Sequence, residues 1–236
     1  MSSTYRQSSV TTFEQQQRDL ENVYLARGPS YRLPAEMIRD NALSASGLLN
    51  QQVGGPSVKP YQPNGLWVEK TGPGSAYKPS SGDLLYRRSM YTFIRRTTPH
   101  PAMIAFDAPN RSVCVVKREK TNTPLQALVL LNGPQFVEAA RVLAQRVLRD
   151  SNKAETQLRL AFRLVCGRDP DDQELELLVA QNRSALNRFK SNPESADTFL
   201  KVGEYPMDQN LDKNQTAAMT IVANTILNFD EAYTKR

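Results

Sequence analysis

The densest concentration of residues able to do chemistry lies between Arg87 and Lys120. Eight basic residues (Arg87, Arg88, Arg95, Arg96, Arg111, Lys117, Arg118, Lys120) stand there against two acids (Asp107, Glu119), so this stretch carries the whole formal charge of +6. Asp107 and Asn110 suit turns in which a side-chain oxygen accepts a nearby backbone amide. Arg111 or Arg118 can pair bidentately with Asp107. Guanidinium groups converging near a helix N-terminus, whose free N–H groups favour negative charge, make an anion site. Its candidates are Arg87, Arg88, Arg95, Arg96, Asp107, Arg111, Arg118, Asn122 and Thr123.

Other chemistries are largely excluded. A single histidine, His100, rules out an HExxH helix or a His-rich zinc site within one chain. As a general base His100 would need an orienting partner such as Asp107 and a nucleophile such as Ser112; its place in Thr-Pro-His-Pro favours loop packing instead. Two cysteines, Cys114 and Cys166, form no CxxC or CxxCH, so neither a zinc ribbon nor covalent haem belongs to this sequence. They can form one disulfide or remain two thiols, and the burial habit of free cysteine favours buried thiols. GxSxG, GxxxxGK[ST] and GxGxxG are absent, and Gly54-Gly55-Pro56-Ser57-Val58-Lys59 lacks the spacing of a phosphate loop. Basic residues interleaved with Tyr91 and Phe93 give a crude nucleic-acid footprint. The Arg-Arg pairs, however, point to different helix faces, and no recognition motif accompanies them, so nucleic acid is disfavoured.

The elements that must position these residues read as mainly α, in one domain of 236 residues. Residues 1–52 form a helical start, with helices expected near 14–26 and 34–50, the second amphipathic through Ile38, Ala42, Ala45 and Leu49. Residues 53–83 hold six of the eleven glycines and five prolines and predict an irregular wrap pinned by Trp67 and Tyr61. In the basic segment, 84–122, the spacing of Leu85, Met90, Phe93 and Ile94 predicts a helix. Val113 to Val116 read as a short buried strand or extended piece, with at most a β hairpin.

Residues 123–236 read as a helical bundle. Thr123-Pro124-Leu125-Gln126 combines an N-cap, Pro at N1 and Gln at N3. The next helix has an apolar stripe of Phe136, Ala140, Leu143 and Val147 and an expected wet face of Glu138, Arg141, Gln145 and Arg149. A third helix stops at Gly167, Asp169-Pro170-Asp171-Asp172 caps a fourth, residues 191–213 read as polar linker, and a last helix spans about 214–232. The longest uninterrupted apolar runs have five residues, Ala102 to Phe106 and Ala127 to Leu131; about eighteen are needed to cross a membrane. The first residues lack the basic and apolar regions of a signal peptide.

Several motifs, in order, carry a family resemblance. Thr4-Tyr5-Arg6-Gln7-Ser8-Ser9, Arg32-Leu33-Pro34-Ala35-Glu36-Met37-Ile38-Arg39 and Gly54-Gly55-Pro56-Ser57-Val58-Lys59-Pro60-Tyr61-Gln62-Pro63 come first. Tyr86-Arg87-Arg88-Ser89-Met90-Tyr91-Thr92-Phe93, Phe106-Asp107-Ala108-Pro109-Asn110-Arg111, Cys114, Lys117-Arg118 and the run from Thr121 to Asn132 follow. Together they closely resemble domain of unknown function 1553. The resemblance implies the C-terminal part of a large exported planctomycete protein, preceded by a cytochrome c domain, with no catalytic residue to carry over.

Because Met1 stands so close to the Thr4 motif, the chain is expected to be an N-terminally truncated domain. Haem, if any, belongs to an upstream domain, and no cofactor or metal is expected here. By resemblance the location is extracytoplasmic or periplasmic; by the chain alone it is cytoplasmic if Met1 is the true start. The favoured function is a non-catalytic scaffold or partner-binding module serving other domains or subunits of a cell-envelope protein. The alternative is an enzyme or binding domain for an anionic polysaccharide, with Asp107 and Glu119 as acid and base.

Overall fold

The computed structural model describes residues 2–71 and 76–235, and Gly72 and Gly74 of the Gly/Pro-rich stretch lie outside the described residues. The chain is mainly α. In order it forms α1 (Phe13–Arg18), β1 (Tyr31–Arg32), α2 (Ala35–Ser46), α3 (Leu66–Thr71), α4 (Pro101–Ala105), α5 (Pro124–Asn132) and α6 (Pro134–Asp150). There follow α7 (Ala154–Cys166), α8 (Asp172–Ser191), α9 (Pro193–Leu200), α10 (Lys213–Leu227), α11 (Asp230–Tyr233) and β2 (Thr234–Lys235). β1 and β2 pair antiparallel, Tyr31 opposite Lys235 and Arg32 opposite Thr234, which ties the segment ahead of α2 to the segment after α11.

Local chemistry accounts for the boundaries. α5 and α6 each begin with proline, whose missing N–H is an orphan at N1 in any case. α2 and α7 end on Gly47 and Gly167, both left-handed at φ 86° and 78°, where a side chain would be strained. Asp171 and Glu174 cap α8 reciprocally, each accepting the other's backbone N–H at 2.8 Å.

α6 is the centre of the bundle. α10 lies along it and also packs against α8, while α2 crosses another side. Phe136, Ala139, Ala140, Leu143, Ala144 and Val147 meet Ile38 and Ala42 of α2, Leu158 and Phe162 of α7, and Met219, Val222 and Ile226 of α10 in one core. A smaller core joins Phe189 of α8, Ala196 and Leu200 of α9, and Ala217.

The expected wet face of α6 is buried instead: Glu138, Arg141 and Gln145 are at most 2% exposed, and only Arg149 of that set is open. The chain returning from α9 to α10 lies across them. Glu138 Oε1 accepts the N–H groups of Glu204 and Tyr205 at 2.6 and 2.8 Å and the Tyr86 hydroxyl at 2.9 Å. Arg141 Nη2 donates to Tyr205 O, and Gln145 Oε1 accepts from Asp208 N–H at 2.7 Å. A polar stripe at helical spacing here serves the backbone needs of a covering loop.

Three further expectations change. Residues 84–94 form two 3-10 turns, Gly82–Tyr86 and Ser89–Tyr91, with Leu85 buried while Met90, Phe93 and Ile94 are exposed. They form parallel bridges to the chain after α2 and to the Gly/Pro-rich stretch, Asn50 beside Arg87 and Val58 beside Thr92, so backbone hydrogen bonding across the loop replaces the helix ladder. The Val113 to Val116 stretch is neither strand nor buried, and its Cys114 is exposed; Cys166 is half-buried, and both thiols are free. The expected linker 191–213 contains α9, started by Asn192, whose side chain accepts from Ser195 N–H.

Candidate functional site

The candidate residues of the basic segment serve different local purposes. Arg87, 1% exposed, inserts its guanidinium into the Gly54-Gly55-Pro56 turn, where Nη1 donates to Pro56 O at 2.7 Å and Nη2 to Gly54 O. Its Cζ lies 4.0 Å from the Tyr91 ring centroid, and the Tyr91 hydroxyl accepts from Gly54 N–H at 2.8 Å. The turn presents carbonyls inward to a cation, which is the opposite of a phosphate cradle. Arg95 stacks on Trp67 at 4.6 Å, and Trp67 meets Tyr77 edge-on at 4.9 Å, so the tryptophan does anchor the Gly/Pro-rich wrap.

Asp107 holds a junction. Its carboxylate pairs with Arg32, not with Arg111 or Arg118, and accepts Thr121 N–H and the Thr121 hydroxyl at 2.8 Å each. Burial would raise its pKa, but the Thr121 donors and the Arg32 guanidinium outweigh that and hold the carboxyl below its ordinary value. Gln126 completes the knot: Nε2 donates to Ala105 O at 2.9 Å, and Oε1 accepts from Arg32 Nη1 at 2.9 Å and from Thr123 N–H at 3.4 Å. Arg118 instead grips Glu36 of α2 with two bonds, 2.7 and 3.1 Å. Among the nine candidates, Arg87, Asp107 and Arg118 are thus tied internally, while Arg88, Arg96, Arg111, Asn122 and Thr123 are exposed.

Between Asp107 and Arg118 the chain forms an exposed arm. Asp107 and Arg111 both take left-handed backbone, φ 60° and 62°, and Asn110 Oδ1 accepts Ser112 N–H at 2.9 Å. The arm presents Val113, Val115 and Val116 at 69%, 53% and 109% exposure, next to the exposed cations Arg111 and Lys117.

A cavity of about 350 Å³ lies between α4, α5, the first turn of α6 and residues 61–63. Met103, Phe106, Leu125, Leu128, Val129 and Phe136 supply apolar wall; Arg39, Gln62, His100 and Gln135 supply polar groups. His100, 9% exposed, donates from Nε2 to Tyr61 O at 2.7 Å, a loop-packing role. Burial, and secondarily the charge of Arg39, push its imidazole down to about 4, so it is neutral at pH 7.

A family model described as PSD1, protein of unknown function (DUF1553), matches residues 1–181. The chain belongs to this family. No curated protein and no solved structure matches it. The DUF1553 match covers the Arg87 turn, the Asp107 junction, the arm and every residue lining the cavity. It stops inside α8, yet α10 beyond it contributes Met219, Val222 and Ile226 to the same core. Within the matched range the motifs noted in the sequence bind one another: the Gly54 turn holds Arg87 and Tyr91, and Asp107 holds Thr121.

Arg39 was not among the sequence candidates and is the most engaged buried cation. Its Nε donates to Gln135 Oε1 at 2.7 Å, Nη1 to Arg87 O and Ser89 Oγ at 2.8 and 2.9 Å, and Nη2 to Leu85 O at 2.7 Å. The signal was present: 39 falls on the apolar face with 35, 38 and 42, and an arginine on such a face must find buried acceptors. Gln135 carried no comparable signal.

Proposed function

We propose that this DUF1553 chain is a non-catalytic helical module that binds a partner protein of the cell envelope through its 109–118 arm, within an extracytoplasmic, cytochrome-associated assembly. The observation that carries the reading is the exposed Val113, Val115 and Val116 set between cations. Apolar side chains offered on an arm anchored at both ends gain about 1.5–3 kcal/mol each when a partner covers them. Arg111 and Lys117 on the rim favour a partner surface carrying carboxylates. The internal use of Arg87, Asp107 and Arg118 supports a scaffold over a polysaccharide enzyme, and the family resemblance supports the cytochrome association.

Cys114, in the middle of the arm, provides the test. Burial pushes the half-buried Cys166 thiol up to about 12, so a maleimide photocrosslinker at neutral pH goes to the exposed Cys114. Photolysis in the envelope fraction of the native organism is expected to give one dominant adduct that stains for covalent haem and is lost in the Val115→Asp, Val116→Asp protein. Adducts unchanged by those substitutions overturn the arm as interface, and a dominant adduct without haem overturns the cytochrome association.

A further inference from the structure

The cavity between α4, α5 and α6 combines an apolar wall with a few buried polar groups. Its volume, about 350 Å³, falls in the range of small-molecule sites, which are mostly apolar with a few placed polar groups. Leu125 and Leu128, more than half exposed, stand at its edge, while Phe106 and Phe136 are buried in its wall.

Two buried amides and a guanidinium make part of the wall donor-rich. Gln135 is 7% exposed, and because its Oε1 is taken by Arg39 Nε, its Nε2 is left as a buried donor with no protein acceptor. Gln62 Nε2 is a second such donor. Arg39 is the charged residue of the lining, which contains no carboxylate. Its nearest acid, Asp40 at 3.7 Å, is already engaged by the backbone and hydroxyl of Ser89. The positive end of the 17-residue α6 also opens here, at Gly133 and Pro134. A buried donor without an acceptor is costly, and two of them beside a cation and a helix N-terminus call for an acceptor-bearing, negatively charged group.

We propose that this cavity binds a small apolar monocarboxylate, its hydrocarbon or aromatic body among Met103, Phe106, Leu128 and Phe136, and its carboxylate toward Gln62 and Gln135 near Arg39. The inference stands independently of the arm and its partner. His100 Nδ1, an acceptor in the wall, is also without a protein partner and suits a hydroxyl on the same ligand.

The test is calorimetric titration of the full chain at pH 7 with 4-phenylbutyrate and with the matched neutral probe 4-phenylbutanol. The acid is expected to bind at least about tenfold more tightly than the alcohol, and Gln62→Leu to remove most of that difference while leaving alcohol binding in place. Ala102→Trp, which fills the cavity, is expected to abolish binding of both; Leu128→Trp at the edge serves if the first does not fold. Equal binding of acid and alcohol overturns the carboxylate assignment. Undiminished binding to a folded cavity-filled variant, or no binding of either probe by the wild-type chain at millimolar concentration, overturns the site.

Discussion

Arg39 Nε donates to Gln135 Oε1 across 2.7 Å, joining the middle of α2 to the first turn of α6. The same guanidinium spans the carbonyls of Leu85 and Arg87, so one side chain organises a helix pair and the 3-10 turns beside it. Burial pushes its pKa down to about 10, which leaves it cationic at neutral pH. A lysine carries charge without the planar fork and cannot reach all four acceptors. Arg39→Lys is therefore expected to lower stability by about 3 kcal/mol, read from urea unfolding at pH 7. A loss below roughly 0.5 kcal/mol, the level of an ordinary surface change, means that these bonds are replaceable by water.

The bundle was legible in the sequence wherever one signal decided an element. Pro124, Pro134 and Gly167 mark helix ends by backbone chemistry alone, and the structure places the ends there; α8 starts within the Asp169 to Asp172 run, while α2 stops at Gly47, short of the residue 50 that the apolar spacing through Leu49 suggested. What was illegible depended on contacts distant in the chain. Glu138, Arg141 and Gln145 have the spacing of a solvent face, and nothing local shows that residues 204–208 cover them. The Asp107 partner, Arg32, lies 75 positions away, so nearer arginines competed for the assignment. Val113 to Val116 have strand composition, yet strands need a neighbour, and this arm has none among the described residues.

Gly203 shows how tightly the covering loop sits. Its backbone is left-handed at φ 91°, and a Cβ there would overlap the Glu138 carboxylate, which is fully buried and held by three donors. Gly167 is equally left-handed, but a Cβ there meets nothing within 4 Å. Gly167→Ala is expected to cost about 1–2 kcal/mol from backbone strain alone. Gly203→Ala adds displacement of a buried carboxylate and is expected to cost about 2 kcal/mol more. Equal losses in paired thermal melts would show that the loop yields freely.

The Asp107 junction separates a structural role from a catalytic one. Arg32 and Asp107 have side chains 13% and 15% exposed, so their pairing is only weakly screened. Asp107→Asn keeps a residue that tolerates left-handed backbone but removes the charge. A stability loss of about 1–2 kcal/mol is expected, and a double-mutant cycle with Arg32→Ala should show coupling of at least about 1 kcal/mol. Since the folded carboxyl titrates below its unfolded value, this contribution is present above about pH 4 and fades as pH falls through the folded value. Additive single losses would mean that Thr121 alone holds the carboxylate.

His100 makes the fold sensitive to mild acid. The folded imidazole titrates near 4, the unfolded one near its ordinary 6.5. Between those values the unfolded chain takes up a proton that the folded chain refuses, so stability falls as pH drops from 6.5 toward 4. By pH 5 the loss relative to pH 7 from this one group is about 2 kcal/mol. His100→Gln can still donate to Tyr61 O and does not titrate. Its stability at pH 7 is expected within about 1 kcal/mol of wild type, and the drop between pH 7 and pH 5 should shrink by about 2 kcal/mol. Urea unfolding of both proteins at the two pH values measures the difference, and a variant whose stability falls between them as steeply as wild type would place the acid sensitivity elsewhere.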